Sequence, residues 1–218
     1  MKTLICIVVL IAVAVMAVPA FAGDIVAMPT GNMMAPRTAE LNYIRWQDSF
    51  PGGQDANIYE GFVGITDWLE VDAIHVDPTG ASDARTEGNI YVRAIKETAT
   101  HPSLILGATN FTASKWIDGK EEASFFALGA YNIHVPAGAP SFNDPLVRLH
   151  VAWGDKFHGD TWFGGFQMRF TPWLGAAAFS YQGDPSYVGV LNVIKNVELR
   201  GGWKSGTPFY SAGYDFKF

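Results

Sequence analysis

Runs of about ten residues in which apolar and polar side chains alternate are the feature that most constrains this fold. The last run, "SAGYDFKF" at 211–218, places Tyr214 and Phe216 on one parity and Asp215 and Lys217 on the other. A strand sends successive side chains to opposite faces. The segment therefore predicts a strand with one apolar face that continues to the last residue.

Glycine and proline punctuate the chain between such runs, and we predict about twelve strands. The predicted strands are 38–48, 56–65, 69–77, 86–97, 103–112, 122–135, 146–155, 161–170, 174–182, 186–195, 197–205 and 208–218. The alternation is plain where Val147 and Leu149 oppose Arg148. It is weaker in 42–47 and in 186–195, where a β-bulge would shift the parity.

Many alternating strands fit either a soluble sandwich or barrel, or a membrane barrel. The tryptophans favour the membrane barrel because all of them fall near predicted strand ends or in connections, as interfacial rings do. They are Trp46, Trp68, Trp116, Trp153, Trp162, Trp173 and Trp203. Prolines also avoid the strand interiors, as a closed barrel in lipid requires. The expected fold class is therefore all-β, a transmembrane antiparallel up-and-down β-barrel.

The connections between the predicted strands support the same topology. With both chain ends in the periplasm, short turns should alternate with longer outer loops. The candidate periplasmic turns are 66–68, 98–102, 171–173 and 195–196, and the candidate outer loops are 49–55, 77–85, 113–121 and 155–160. The segment 136–145 is long for a periplasmic turn.

The N-terminus has the pattern of an export signal. Lys2 is followed by an apolar stretch and an A-x-A site at 20–22, so we predict a cleaved signal peptide at 1–22. Residues 23–37 would then form an extension in the periplasm or a plug in the lumen, and 38–218 the barrel. Cys6 is the one cysteine of the chain, so thiol chemistry and disulfides are not expected after cleavage. The net charge of −6 and the lack of a basic cluster exclude nucleic acid as an expected partner.

The last eight residues resemble the signal by which bacterial outer-membrane barrels are recognised by their assembly machinery. The residues that carry the resemblance are Ser211, Gly213, Tyr214, Phe216 and Phe218. The resemblance implies an outer-membrane location, with membrane lipid and the barrel assembly machinery as partners.

A looser resemblance covers more of the chain. The segments 24–43, 64–74, 102–111 and 147–154 look like the YjbH-like outer-membrane barrels, which are associated with exopolysaccharide secretion. This chain is far shorter than the large members and lacks their lipoprotein cysteine. The resemblance implies a role in polysaccharide passage.

The sequence offers few candidates for catalysis or metal binding. A His-x-Ser arrangement occurs at His101, where Pro102 predicts a turn. Glu70 and Asp72 share one face of a strand about 7 Å apart, as acids also do in any hydrated lumen. The segment 77–83 lacks the glycine and the terminal glutamate of a helix-loop-helix calcium loop. We therefore expect no catalytic residue, metal or cofactor.

Most of the charged residues in the predicted strands occur at the positions that would face inward. The candidate lumen-lining residues are Glu40, Glu60, Glu70, Asp72, Arg93, Arg148, His150, Arg169, Glu198 and Arg200, together with Asp215 and Lys217. Acids come from the early strands and bases from the later ones. Two interpretations stay open: a network of ion pairs that fills the barrel, or a polar channel whose arginines contact anionic saccharide. His158 in "KFHGD" is predicted to be a solvated loop residue.

These observations predict a non-enzymatic outer-membrane barrel. The expected role is a small channel or envelope component linked to polysaccharide passage. The alternatives are an outer-membrane enzyme that modifies lipid or glycan, and a closed structural or adhesive barrel. The sequence does not specify the solute, the oligomeric state or whether the pore conducts.

Overall fold

The computed structural model describes residues 32–50, 53–80, 83–112, 122–133, 147–171 and 173–218. Several sequence predictions concern segments outside these residues, and they stay predictions. These are the signal peptide at 1–22, residues 23–31 of the extension, the outer loop at 113–121 and the long connection at 136–145.

Twelve strands lie in the described residues. They are β1 Thr38–Phe50, β2 Gln54–Gly64, β3 Leu69–Pro78, β4 Arg85–Ile95, β5 Ser103–Thr109, β6 Ser124–Ile133, β7 Val147–Gly154, β8 Thr161–Thr171, β9 Leu174–Tyr181, β10 Asp184–Ile194, β11 Val197–Lys204 and β12 Thr207–Lys217. Each strand pairs antiparallel with its chain neighbours, and β12 pairs with β1 to close the sheet. The predicted closed up-and-down barrel is confirmed, with strand limits a few residues from those expected.

Helical structure in the same residues amounts to one short 3₁₀ turn, Lys156–His158, in the connection between β7 and β8. No helix in this part of the chain is long and apolar enough to cross a membrane.

The closing pair of strands defines the two ends of the barrel. Thr38 at the start of β1 lies opposite Lys217 at the end of β12. We call this the terminal end, and the opposite end the far end. The connections at the far end include the β7–β8 turn and two tight hairpins.

Two hairpins at the far end show how local sequence sets the register. Gln182 and Gly183 join β9 to β10, and Ser205 and Gly206 join β11 to β12, with all four φ angles positive. Two consecutive positive φ angles define a type I′ turn, whose twist matches that of the flanking strands. Glycine at the second position adopts this conformation at little cost.

Register shifts occur in both segments where the alternation is weak. In β1 the pairing with β2 shifts between Trp46 and Phe50, and in β10 the pairing with β11 shifts between Asn192 and Ile194. Each shift lies near a strand end. The inward parity of the strand centres is therefore preserved.

The outer face of the sheet is largely apolar, whereas the outer face of a water-soluble protein is largely polar. Strand β7 is typical: Arg148 and His150 are buried, whereas Leu149 and Val151 are exposed. Large apolar side chains that are exposed elsewhere on the outer face include Leu41, Leu106, Phe166, Leu191, Leu199 and Tyr210. Buried charged side chains are thus enclosed by the sheet, and large apolar side chains surround it.

Candidate functional site

The lumen is filled by two layers of inward side chains. The charged layer occupies the half nearest the terminal end and contains Glu40, Asn42, Glu60, Glu70, Asp72, Arg148, His150, Gln167, Arg169, Asn192, Glu198 and Arg200, all buried. The apolar layer occupies the far half and contains Ile44, Ile58, Ile74, Val76, Phe126, Phe163, Phe179, Tyr181, Val188 and Phe209, with the buried acid Glu87 opposite Ile74. Both layers follow from the period-2 pattern of the strands.

Arg200 is the centre of the acidic side of the charged layer. Its Nη2 donates to Glu40 Oε1 at 2.9 Å, and its Nε donates to Glu198 Oε1. The three side chains come from β1 and β11, on either side of β12. Their burial makes the arrangement costly to leave incomplete, because a carboxylate in a dry interior needs a partner.

Further acids extend this side across β2 and β3. Asn42 Nδ2 donates to Glu60 Oε2 at 3.4 Å, and Tyr91 donates its hydroxyl proton to Asp72 Oδ2 at 2.9 Å. Gly213 on β12 makes room for Asn42, because a Cβ at Gly213 would overlap the amide oxygen of Asn42. A small residue on one strand thus allows polar side chains of its neighbours to pack over it.

The basic side of the charged layer comes from β7 and β8. Arg148 donates through Nη1 to Glu97 Oε2 and to Asn132 Oδ1, both at 2.6 Å. Arg169 and His150 are buried at the same end of the barrel. The partner Glu97 lies beyond the end of β4 and was not among the predicted lumen residues. Glu97 shares the parity of Arg93 within the predicted strand 86–97, so continuing the inward positions to the end of that strand would have found it; in the structure β4 ends at Ile95.

The structure places Arg93 differently from the other predicted lumen residues. It shares the inward parity of Tyr91 but lies near the end of β4, where it is half-buried. Its Nη1 donates to the backbone oxygen of Asp67 at 2.8 Å, in the turn between β2 and β3. Asp215 and Lys217 likewise lie near the terminal rim, partly or fully exposed. Parity alone does not tell a buried position from a rim position.

Residues 32–34 enter the charged layer from the terminal end. Asn32 Nδ2 donates to Gln167 Oε1 at 2.7 Å, and the backbone N–H of Met34 donates to Glu70 Oε2. Met34 is buried, and Met33 packs against the apolar core. The extension predicted at 23–37 thus has its last described part in contact with lumen side chains of β3 and β8.

His158 is buried, and the prediction that it is a solvated loop residue is wrong. Its exposed fraction is 0%, and its ring nitrogens lie 3.1 Å from Thr109 Oγ1 and 2.9 Å from the Tyr181 hydroxyl. The ring stacks on Phe163 at a centroid distance of 5.3 Å. The 3₁₀ turn folds His158 towards Gly154, which has no side chain to oppose it.

The β7–β8 turn that carries His158 is anchored through Asp155. Its Oδ1 accepts hydrogen bonds from the Phe125 backbone N–H at 2.6 Å and from the Ser124 hydroxyl at 2.9 Å. Burial lowers the pKa of His158 to about 4, although the nearby Asp155 carboxylate opposes the shift. The ring is therefore neutral near pH 7, as a stacked position in an apolar layer requires.

Aromatic side chains form exposed groups at both ends of the outer face. Trp68, Trp173, Tyr214, Phe216 and Phe218 lie at the terminal end, and Trp153, Trp162, Tyr187 and Trp203 at the far end. Trp46 is an exception, because it turns inward: its Nε1 donates to Thr207 Oγ1 at 2.7 Å and the Lys204 ammonium lies 4.8 Å above its ring. Trp116 is outside the described residues.

The remaining candidates for chemistry are dispersed. His101 lies in an exposed turn, where its Nδ1 is 2.8 Å from Thr100 Oγ1 and 3.1 Å from Thr98 Oγ1. Glu70 and Asp72 face the lumen, but each is already in contact with another group, the Met34 N–H and the Tyr91 hydroxyl. In the part of the chain that the structure describes, no group of three or more His, Cys, Asp or Glu residues could hold a metal ion.

Comparison with known proteins finds a similar solved structure but no matching family. No protein-family model matches the chain, and no curated protein matches its sequence. The chain is similar to the crystal structure of an outer-membrane channel from Pseudomonas putida F1, with a TM-score of 0.38 and 11% identity over 92% of this chain and 100% of that one. The resemblance to the YjbH-like barrels therefore stays a prediction.

Proposed function

We propose that this chain is an integral, non-enzymatic barrel of the bacterial outer membrane. The observation that carries the proposal is the inverted distribution of side chains, with buried charges such as Arg200 and Glu40 inside and exposed side chains such as Val151 outside. Water would make such an outer face unfavourable, whereas lipid favours it. The aromatic groups at both ends fit the two membrane–water interfaces.

The proposal includes the route to the membrane. A cleaved signal peptide at 1–22 would export the chain, and the barrel assembly machinery would recognise the C-terminal strand. Tyr214 and Phe216 are exposed on the outer face of that strand, and Phe218 is exposed directly after it, where another protein or lipid can contact them. The terminal end would face the periplasm.

The packed lumen supports an envelope component that is closed in this conformation. Interior side chains at both ends are buried, and they include large ones such as Phe62 and Leu128. Passage of a solute would require these layers to rearrange. Polysaccharide passage, and contact of anionic saccharide with Arg148 or Arg169, is the narrower role that the sequence resemblance implies and that we propose on that ground.

One pair of substitutions tests the membrane location. Val151 is 57% exposed near the middle of the outer face, and Val151→Arg should destabilise the folded barrel in lipid by about 2–4 kcal/mol. Trp203→Arg, near the far end, is the matched control and should cost about 0–1 kcal/mol. The measurement is reversible urea unfolding in lipid vesicles.

A water-soluble barrel would give the opposite result. Both arginines would then be neutral or would improve solubility, and the protein would be recovered from the periplasm. Heat-modifiable gel mobility of the unaltered protein in membrane fractions gives an independent check. Bilayer recordings of the refolded protein should show few conducting events, and a large steady conductance would contradict the closed state.

A further inference from the structure

The chain makes a pinned turn just before it enters β1. The backbone N–H of Arg37 donates to the Gly64 carbonyl at 2.8 Å, and the N–H of Phe218 donates to the Arg37 carbonyl at 3.1 Å. The N–H of Thr38 also donates to the Ala35 carbonyl at 3.2 Å. Arg37 has a φ of +56°, and a Cβ at Gly64 would overlap the carbonyl oxygen of Ala35. The turn is thus fixed to both neighbouring strands.

The arm that precedes this turn is held in another way. Residues 32–34 form no strand and join no ladder of the barrel. Their polar contacts include the Asn32 amide on Gln167 and the Met34 N–H on the Glu70 carboxylate. Met34 is 4% exposed, and its Cβ lies close to Gly64 of β2.

The turn at 35–37 therefore corresponds to a hinge, and the contacts of residues 32–34 correspond to a latch. Breaking the arm's contacts opens no pair of strands, whereas exposing a wall residue requires the ladder to separate. Local openings of a native protein occur first where few buried contacts and no regular backbone hydrogen bonds must be lost. Residues 32–34 lack the regular backbone hydrogen bonds of a strand ladder, and the turn at 35–37 supplies a fixed pivot.

We propose that residues 32–37 form a strap, hinged at 35–37, that closes the terminal end of the charged layer and lifts while the barrel stays folded. The strap is an intramolecular occupant of the lumen. When it lifts, it uncovers the Glu70 carboxylate and the Gln167 amide on opposite sides of the lumen mouth. This inference does not depend on the membrane location, because the strap contacts are internal to the chain.

Thiol labelling measures the opening directly. In the full chain with Cys6→Ser, one variant carries Met34→Cys and its matched control carries Ala152→Cys, which is equally buried but lies within β7. A small charged maleimide is added to the refolded proteins in detergent. Met34→Cys should react about 100-fold faster or more, because only the strap must open. Equal, slow reaction of both thiols would overturn the proposal.

A second substitution identifies the latch. Glu70→Gln weakens the charge-assisted contact with the Met34 N–H and should speed labelling of Met34→Cys by about tenfold. Glu60→Gln, a buried acid on the next strand, is the matched control and should leave that rate unchanged. Neither change should alter labelling of Ala152→Cys. If Glu70→Gln accelerates both thiols alike, the whole barrel has loosened and no separate strap exists.

Hydrogen exchange tests the strap without a cysteine. In the unaltered protein, the Met34 amide should exchange faster than the amide of Ala152 and should accelerate with Glu70→Gln. Exchange of the Met34 amide at the rate of the β7 ladder would overturn the proposal. This readout remains decisive if Met34→Cys fails to fold.

Discussion

At the terminal end of the lumen, Arg200 lies between Glu40 and Glu198, whereas at the far end His158 lies stacked on Phe163 beside Tyr181. The first layer is held by charges whose partners come from different strands. The second is held by rings whose contacts have little net charge. Both layers are equally buried, but they respond to different perturbations.

The difference shows how one barrel can fill its interior in two ways. Charged side chains fill space only if each finds a partner, because an unpaired charge in a dry interior is costly. Apolar side chains need only shape, and their loss costs in proportion to the cavity that remains. The charged layer should therefore fail on removal of a single partner, and the apolar layer should weaken gradually.

The largest expected effect comes from removing the central cation. Arg200→Met leaves Glu40 and Glu198 buried without their arginine, and the free energy of unfolding should fall by about 3–5 kcal/mol. Reversible urea unfolding in detergent measures the change. The matched control is Arg45→Met, which breaks the partly exposed pair of Arg45 with Asp55 and should cost at most about 1 kcal/mol.

A small effect of Arg200→Met would contradict the proposed difference between the charged and the apolar layer. It would mean that the carboxyl groups take up protons or reach water at little cost, so the charged layer would not depend on pairing. Equal losses for Arg200→Met and Arg45→Met would have the same meaning.

The sequence predicted the barrel well because its outer and inner faces differ in chemistry at every second residue. The alternation of polar and apolar residues, as at Arg148 and Leu149, indicates which face of the sheet each side chain occupies. The glycines Gly183 and Gly206 indicate the positions of two hairpin turns. Pairing is different, because the register that brings Arg200 to Glu40 joins residues far apart in the chain. The parity of a residue predicts which face of the sheet its side chain occupies, but not which residue it contacts.

The misplaced residue, His158, shows a further limit. A histidine in a polar connection is usually solvated, and "KFHGD" contains no strand pattern that would assign it to either face. Its burial depends on Gly154, on Thr109 and on the anchoring of Asp155 by Phe125, so three parts of the chain contribute. Tertiary contacts therefore decided its environment.

A second prediction concerns how the stability contributed by His158, at the far end, depends on pH. The pKa of His158 is lowered to about 4 by burial, against about 6.5 in the unfolded chain. Between these values the unfolded state binds more protons, so the contribution of neutral His158 is complete above about pH 6.5 and is lost as pH falls towards 4. The full loss is about 3 kcal/mol.

The matched variant for this prediction is His158→Gln, which keeps a polar group but does not titrate. Urea unfolding from pH 7.5 to pH 4 measures both proteins. The difference between their unfolding free energies should change by about 3 kcal/mol across this range. Parallel pH profiles would show that His158 does not stay neutral in the folded state.

The smallest expected effect tests whether the apolar layer weakens gradually. Ile74 is 3% exposed in that layer, and Ile74→Val removes one methylene group at a cost of about 1 kcal/mol. Ile133→Val is the same substitution on the outer face, where Ile133 is 43% exposed, and should cost less than about 0.5 kcal/mol. Both values should be the same at pH 7.5 and pH 5, because neither side chain titrates. A loss at Ile74 as large as that of Arg200→Met would show that the apolar layer is as intolerant as the charged one, and the contrast between the two halves of the lumen would then fail.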